Sequence, residues 1–352
     1  MTVDISTNLG GVTLGSPLML GSFDALVEAG VLARCFEVCP LSLGAVVTKS
    51  TTIDPRQGYP EPKVARFGSG LLVASGNPNP GISRMAAEVR KFREQYPDAV
   101  LIGSLVSDPD HPERNTESEY GFLAVEYARS GVSGVELNLS CPHLDPNDRE
   151  HTIVPAQNRQ MVYRLVSAVR AALSAAGYPS CLVIPKLTGW NCNPAEVALA
   201  SQEAGADAVT VSNLFPGTGY HTGLGESLTG GGKPGDYLVA HGKGGYTGQA
   251  MHSAVLLVIE SLRRHIRIPI IGTGGCATDL DSLVQTFMAG ATAVAAVTPY
   301  YFRHKSGVDA LAGANRLIEG LQSYLAQHGL NRPQDLYQLA AGRKPHRREH
   351  EQ

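Results

Sequence analysis

Val135-Glu136-Leu137-Asn138-Leu139-Ser140-Cys141-Pro142-His143 is the stretch from which the fold is read. It opens as a half-alternating apolar run of strand length. It closes on an amide, a hydroxyl, a thiol, a proline and an imidazole. A strand that buries its body and presents polar groups at its C-terminal lip is how an α/β barrel builds a site.

Outward from this strand, short β-branched runs alternate with longer amphipathic stretches, the pattern of repeated β/α units. Strands are expected over residues 17–21, 44–49, 100–104, 182–187, 208–213, 269–272 and 293–297, with the opening stretch as the fourth of eight. Helices are expected over 23–37, 82–95, 117–129, 160–175, 194–204, 249–265 and 280–288, with more toward Gln327. Two long loops interrupt the pattern, one through Pro55 to Gly81 and one from Pro216 to Gly248. Eight units without a linker-like segment predict a single (β/α)8 TIM barrel over 1–352. Its core is expected at about 15–327, with a C-terminal helix and basic tail over 328–352.

A formal net charge of −3 argues against nucleic acid as a partner, because phosphate binding needs an excess of Lys and Arg. The basic run Arg343-Lys344-Pro345-His346-Arg347-Arg348 reads as a solvated tail. The first fifteen residues lack the charged and apolar regions of a signal peptide, and no apolar run reaches the ~20 residues of a membrane span. These features predict a cytoplasmic protein with no membrane association. The six cysteines have no framework spacing, which suits a reducing compartment. Cys35 and Cys39 lie one helical turn apart but lack a second ligand pair, so they read as buried helix-face thiols and no metal site is expected.

Polar residues follow the apolar runs: Lys49, Asn138 with Cys141, Lys186, Asn213, and Gly272-Thr273-Gly274-Gly275. In a barrel these groups converge on the C-terminal rim. The glycine run after the seventh strand precedes a helix, where backbone N–H groups and the helix dipole suit an anion. A second run, Gly244-Gly245-Tyr246-Thr247-Gly248, is expected at the start of the preceding helix and wraps the same phosphate. Lys49 and Lys186 suit an anionic reduced flavin ring, and Cys141 suits proton transfer if its environment lowers its pKa from about 8.5.

These motifs resemble the class 1 dihydroorotate dehydrogenases. Leu137-Asn138-Leu139-Ser140-Cys141-Pro142 matches the family's catalytic segment. Thr48-Lys49-Ser50-Thr51-Thr52 with 55–62 is similar to its Lys-Ser loop, and Gly76-Asn77-Pro78-Asn79-Pro80-Gly81 to its Gly-Leu-Pro-Asn segment. The two glycine runs resemble its FMN-phosphate loops.

The resemblance implies FMN at the top of the barrel and oxidation of (S)-dihydroorotate to orotate in pyrimidine biosynthesis. Cys141 would remove a proton while hydride passes to flavin N5. It places Gly21, Lys49, Ser50, Asn138, Lys186, Ser212, Gly244, Gly245, Thr247, Gly248, Gly272, Thr273, Gly274 and Gly275 at the flavin. It places Lys49, Asn138, His143, Asn213, Asn77, Asn79, Ser75 and Gly76 at a small cyclic substrate. It also implies a homodimer, and a soluble electron acceptor or an electron-transfer subunit.

Three positions depart from the family. His143 stands where the family has asparagine, and Cys-Pro-His is instead similar to the pyrimidine-reducing domain of dihydropyrimidine dehydrogenases. Val73-Ala74-Ser75-Gly76 replaces Asn-Ser-Met-Gly, and Asn213-Leu214 replaces Asn-Ser or Asn-Thr. These changes define an alternative, a dihydropyrimidine-type dehydrogenase or ene-reductase acting on a non-orotate ring. A non-catalytic phosphate-binding barrel is a third class, against which Cys141 argues.

Overall fold

The computed structural model describes residues 3–59, 61, 63–108, 111, 114–140, 154–219, 243–297 and 312–342. The chain begins with a hairpin of β1 (Thr7–Leu9) and β2 (Val12–Leu14), followed by β3 (Leu18–Leu20), α1 (Ala29–Val38) and β4 (Ala45–Val47). A second hairpin, β5 (Val64–Phe67) and β6 (Gly70–Val73), precedes α2 (Ile82–Gln95). Next come β7 (Leu101–Leu105), α3 (Thr116–Ser130), β8 (Gly134–Asn138), α4 (Arg159–Ala175) and β9 (Leu182–Lys186). They lead to α5 (Pro194–Glu203), β10 (Val209–Val211), β11 (Phe215–Thr218) and β12 (Lys243–Gly248). The chain continues through α6 (His252–His265), β13 (Ile270–Gly272), α7 (Leu280–Met288) and β14 (Ala293–Ala296). The last described helices are α8 (Ala312–Gln327) and α9 (Asp335–Ala340).

Eight strands close into a barrel in the order β10-β13-β14-β3-β4-β7-β8-β9, every pairing parallel. This is the (β/α)8 TIM barrel that the alternation predicts. Strand periodicity divides its residues between two cores. In β8, Val135 and Leu137 face outward into the cluster shared with the helices. The lumen holds Met19, Ala45, Val47, Ile102, Ile184, Ile271, Ala293 and Ala295. Leu9 and Leu14 of the first hairpin join that inner cluster and seal the N-terminal mouth. The sequence reading did not include this hairpin, whose strands are three residues each.

Two further corrections concern the expected loops. Each contains a pair of strands, and the four form one antiparallel sheet in the order β11-β12-β6-β5. The signal for β5–β6 lies in Gly68-Ser69, a two-residue hairpin turn between apolar runs, with Gly68 at φ 57°. Neighbouring prolines masked it.

The expected helix start at Phe23 is also displaced, since α1 begins at Ala29. Leu26 cannot continue a helix upstream because its carbonyl accepts from Lys49 N at 2.9 Å. Glu28, the N-cap, makes no capping hydrogen bond, and Glu88 from α2 instead accepts from Ala29 N at 3.0 Å. Cys35 and Cys39 are buried free thiols, with burial pushing the former up to about 12 and the latter to about 11.

Candidate active site

The C-terminal ends of the strands surround a cavity that opens to solvent, lined by both polar and apolar side chains. Asn138 and Lys186 lie side by side because β8 and β9 pair them in register, and Thr210 of β10 pairs with Lys186 from the other side. Inward-facing positions near the ends of neighbouring strands therefore become neighbours in space.

Asn138 is held from several directions. Its Oδ1 accepts from Asn213 Nδ2 at 3.2 Å, and its Nδ2 donates to Ser50 Oγ at 3.2 Å. Ser50 Oγ lies 2.8 Å from Ser104 Oγ, and the Asn138 carbonyl accepts from Tyr120 Oη at 3.0 Å. This chain fixes which end of the amide points where. Lys49 Nζ pairs with Asp24 Oδ1 at 2.8 Å, and both side chains line the cavity. Behind them the buried Tyr127 hydroxyl contacts Thr48 Oγ1, Thr51 Oγ1 and the Ser104 carbonyl, pinning the strand end that carries Lys49. Lys186 Nζ lies 3.6 Å from Glu136 Oε1.

The strand end leading toward Cys141 is anchored through Lys186. The Lys186 carbonyl accepts from Leu139 N at 3.3 Å and from Ser140 Oγ at 3.2 Å. Ala156 N donates to the Leu139 carbonyl at 2.9 Å, so the chain returns beside its point of departure. Cys141 and His143 themselves lie outside the described residues.

At the other end of the cavity is a turn suited to an anion. Thr273 N donates to the Val211 carbonyl at 2.6 Å and Ser212 N to the Thr273 carbonyl at 3.1 Å, lashing the turn to β10. Gly274 and Gly275 follow at φ 91° and 85°, a region that disfavours side chains. A Cβ on Gly275 would also meet the Gly248 carbonyl at 2.6 Å.

Among the residues expected at the site, Lys49, Ser50, Ser75, Asn77, Asn138, Lys186, Ser212, Asn213, Thr247, Thr273, Gly274 and Gly275 line the cavity. The lining does not include Gly21, Gly76, Asn79, Gly244, Gly245, Gly248 or Gly272. Asn79 is spent on its own loop, where Oδ1 accepts from Thr52 N and Gly81 N and Nδ2 donates to Thr52 Oγ1 and the Asn77 carbonyl.

The second glycine run does lead into a helix, with Gly248 as N-cap of a helical turn over Gln249–Met251 that continues as α6, but the run itself is not helical. It forms β12, where a Cβ on Gly244 would meet the Val73 carbonyl and one on Gly245 the Leu214 side chain. Only its end, Thr247-Gly248, reaches the phosphate-like turn. The dipole of α7 is likewise not free for an anion, because Asp279 caps that helix through Ser282 N at 2.8 Å.

Four lining residues have no site assignment from the sequence. Val64 and Leu71 join Val73, which already stands out by replacing the family's asparagine, in an apolar wall from the antiparallel sheet, and Phe23 and Asp24 come from the segment expected to be helical. Among these four the sequence signal is the position of Asp24 just beyond the first strand.

A protein-family model described as dihydroorotate dehydrogenase matches residues 5–323. The dihydroorotate dehydrogenase A (fumarate) of Lactiplantibacillus plantarum is 30% identical over 340 residues, covering 96% of this chain and 99% of that protein. The catalytic subunit of dihydroorotate dehydrogenase B (NAD(+)) of Pyrococcus furiosus is 30% identical over 338 residues, again covering 96% and 99%. The chain belongs to the dihydroorotate dehydrogenase family. The crystal structure of a family member from Eimeria tenella, in complex with ferulenol, shares the fold with a TM-score of 0.73 at 18% identity. That match covers 95% of this chain and 88% of the other.

Class 1 members of the family are FMN-dependent oxidoreductases acting on CH–CH groups. The residues present here fit such a cofactor. The Gly274–Gly275 turn lines the cavity with backbone alone, its packing against Met251 and Gly248 leaving no space for side chains, and Lys186 supplies a cation to the same cavity. Asn77, 5% exposed and at φ 54°, has an Nδ2 without a hydrogen-bond partner among the described residues, a donor available to a ligand.

Proposed function

We propose that this chain is an FMN-dependent oxidoreductase that oxidises (S)-dihydroorotate to orotate, with Cys141 as the base. The observation that carries this reading is the convergence of Lys49, Asn138, Lys186, Asn213 and the Gly274–Gly275 turn on one cavity of a barrel of this family. Thr273, Gly274 and Gly275 would hold the FMN phosphate, with Lys186 and Asn138 at the pyrimidine edge of the ring. Bound there, FMN supplies a two-electron acceptor for hydride.

The chain's own residues do the rest. Asn138 and Asn213, already oriented by one another, present amide groups to a ring carrying carbonyl and N–H functions. Asn77 offers a further donor. Cys141 would take the proton from the carbon next to the ring carbonyl, which requires a thiolate population and hence a local environment favouring the charged form. A general base of this kind contributes about 10²–10⁴-fold.

Two observations favour a second reading, a dihydropyrimidine-type or ene-reductase reaction on a different ring. Val64, Leu71, Val73 and Leu214 present an apolar wall, and the Lys49 charge is already met by Asp24. Both features lower the polarity that a carboxylate-bearing ring encounters. Anaerobic mixing of the yellow protein with dihydroorotate or dihydrouracil separates the two readings. Bleaching of the flavin by dihydroorotate is expected; no bleaching with excess dihydroorotate, together with bleaching by dihydrouracil, would establish the second. The reduced flavin would pass its electrons to a soluble acceptor or a separate subunit, and the chain would work as a homodimer.

A further inference from the structure

Glu136 is the charged group that the proposed reaction leaves unexplained. Alternation along β8 turns it inward, below Asn138 by one inward-facing position, and it is 3% exposed. The lumen beside it is largely apolar: Glu136 pairs in register with Ile184, itself part of the inner cluster. A carboxylate in such surroundings is costly unless it is paired. Its Oε2 accepts from Thr210 Oγ1 at 3.0 Å, whereas its Oε1 has no hydrogen-bond partner among the described residues. That oxygen lies 3.6 Å from Lys186 Nζ, within ion-pair range but beyond a hydrogen bond. Lys186 lines the cavity and Glu136 does not. The ammonium therefore lies between a buried carboxylate and the space where the ring would bind.

We propose that Glu136 is a positioning residue that holds the Lys186 ammonium at the cavity edge and, through its own charge, sets the reduction potential of the flavin bound there. Reduction adds negative charge to the ring. A cation beside the ring favours it, and a fixed anion behind that cation opposes it. Screening by water is weak here, because the Glu136 side chain is buried and that of Lys186 is only partly exposed. The carboxylate thus moderates the pull of Lys186 while keeping the ammonium in place. Thr210 steers the carboxylate by occupying its other oxygen.

The inference rests on the flavin reading of the cavity. Its test is the midpoint potential of the purified FMN-loaded protein, measured anaerobically against reference dyes. Glu136→Gln keeps the shape and an acceptor oxygen but deletes the charge, and should shift the potential to more positive values. Lys186→Gln should shift it to more negative values. An unchanged or more negative potential in Glu136→Gln overturns the proposal, since a purely structural carboxylate would lower the melting temperature and leave the potential alone. If Glu136→Gln does not fold, Glu136→Asp, which withdraws the charge from Lys186 and the ring, should shift the potential in the same direction by less; no shift there overturns the proposal equally. A protein that stays colourless even with added FMN would remove the flavin reading and this inference with it. A yellow protein whose potential ignores Glu136 removes the inference alone.

Discussion

At the scale of the residue, Asn138 is oriented before any ligand arrives, with each end of its amide engaged by Asn213 or Ser50. Groups fixed in this way add no reorganisation cost at the moment of reaction, which is what electrostatic preorganisation requires. Cys141 can be separated from this scaffold experimentally. Cys141→Ser should slow flavin reduction by about 10²–10⁴-fold while leaving FMN bound. Stopped-flow absorbance gives the rate and the visible spectrum gives the occupancy; an undiminished rate would remove Cys141 from the mechanism.

Lys49, Asn138 and Lys186 were legible in the sequence because each is a polar residue closing an apolar run. Asn79 was misleading for a physical reason: nothing in a linear motif distinguishes an amide that meets a ligand from one that holds its own turn through Thr52 and Gly81. Glu136 was quoted in the opening stretch, yet its importance depends on which side of β8 meets Lys186.

At the scale of the element, α1 is stabilised by a neighbour rather than by its own cap. Glu88 of α2 reaches Ala29 N, placing negative charge at the N-terminus of α1. This backbone hydrogen bond, with help from Lys91, holds the Glu88 carboxyl below its ordinary range. A depressed carboxyl pKa contributes stability that is complete above the unfolded value and is lost as pH falls through the folded one. Glu88→Gln should therefore cost about 1 kcal/mol near neutral pH. The gap should close as pH drops below ~4. Urea denaturation of both proteins across that range measures it, and a gap independent of pH would contradict the assignment.

Long helices were readable because their apolar spacing repeats over several turns; α2 begins and ends where its periodicity predicts. The antiparallel sheet was not, because strands of four residues set among glycines and prolines carry too few alternations to stand out from a loop.

At the scale of the whole molecule, the barrel is closed at one end and chemically active at the other. Leu9 and Leu14 seal the N-terminal mouth, and the polar rim gathers at the C-terminal one. A ligand that binds only the folded state stabilises it by mass action, about 2.7 kcal/mol at a concentration 100 times its dissociation constant. FMN added to flavin-stripped protein should raise the melting temperature accordingly. Gly275→Ala should lose most of that rise, because its methyl would meet the Gly248 carbonyl and its backbone conformation would be strained. Differential scanning fluorimetry reads both outcomes, and an undiminished FMN response in Gly275→Ala would remove the turn from the cofactor site. The eightfold β/α alternation was enough to predict the barrel. Closure of its lower mouth was not predictable, because it depends on which apolar residues outside the alternation find the lumen. Among the described residues, no helix is long and apolar enough to cross a membrane.

The hydrogen bond between Ala156 N and the Leu139 carbonyl fastens together the two ends of the segment bearing Cys141 and His143. The two flanks of that segment are thereby tethered to each other, so a disturbance introduced at Ala156 is transmitted directly to the end of β8 at Leu139 and Asn138.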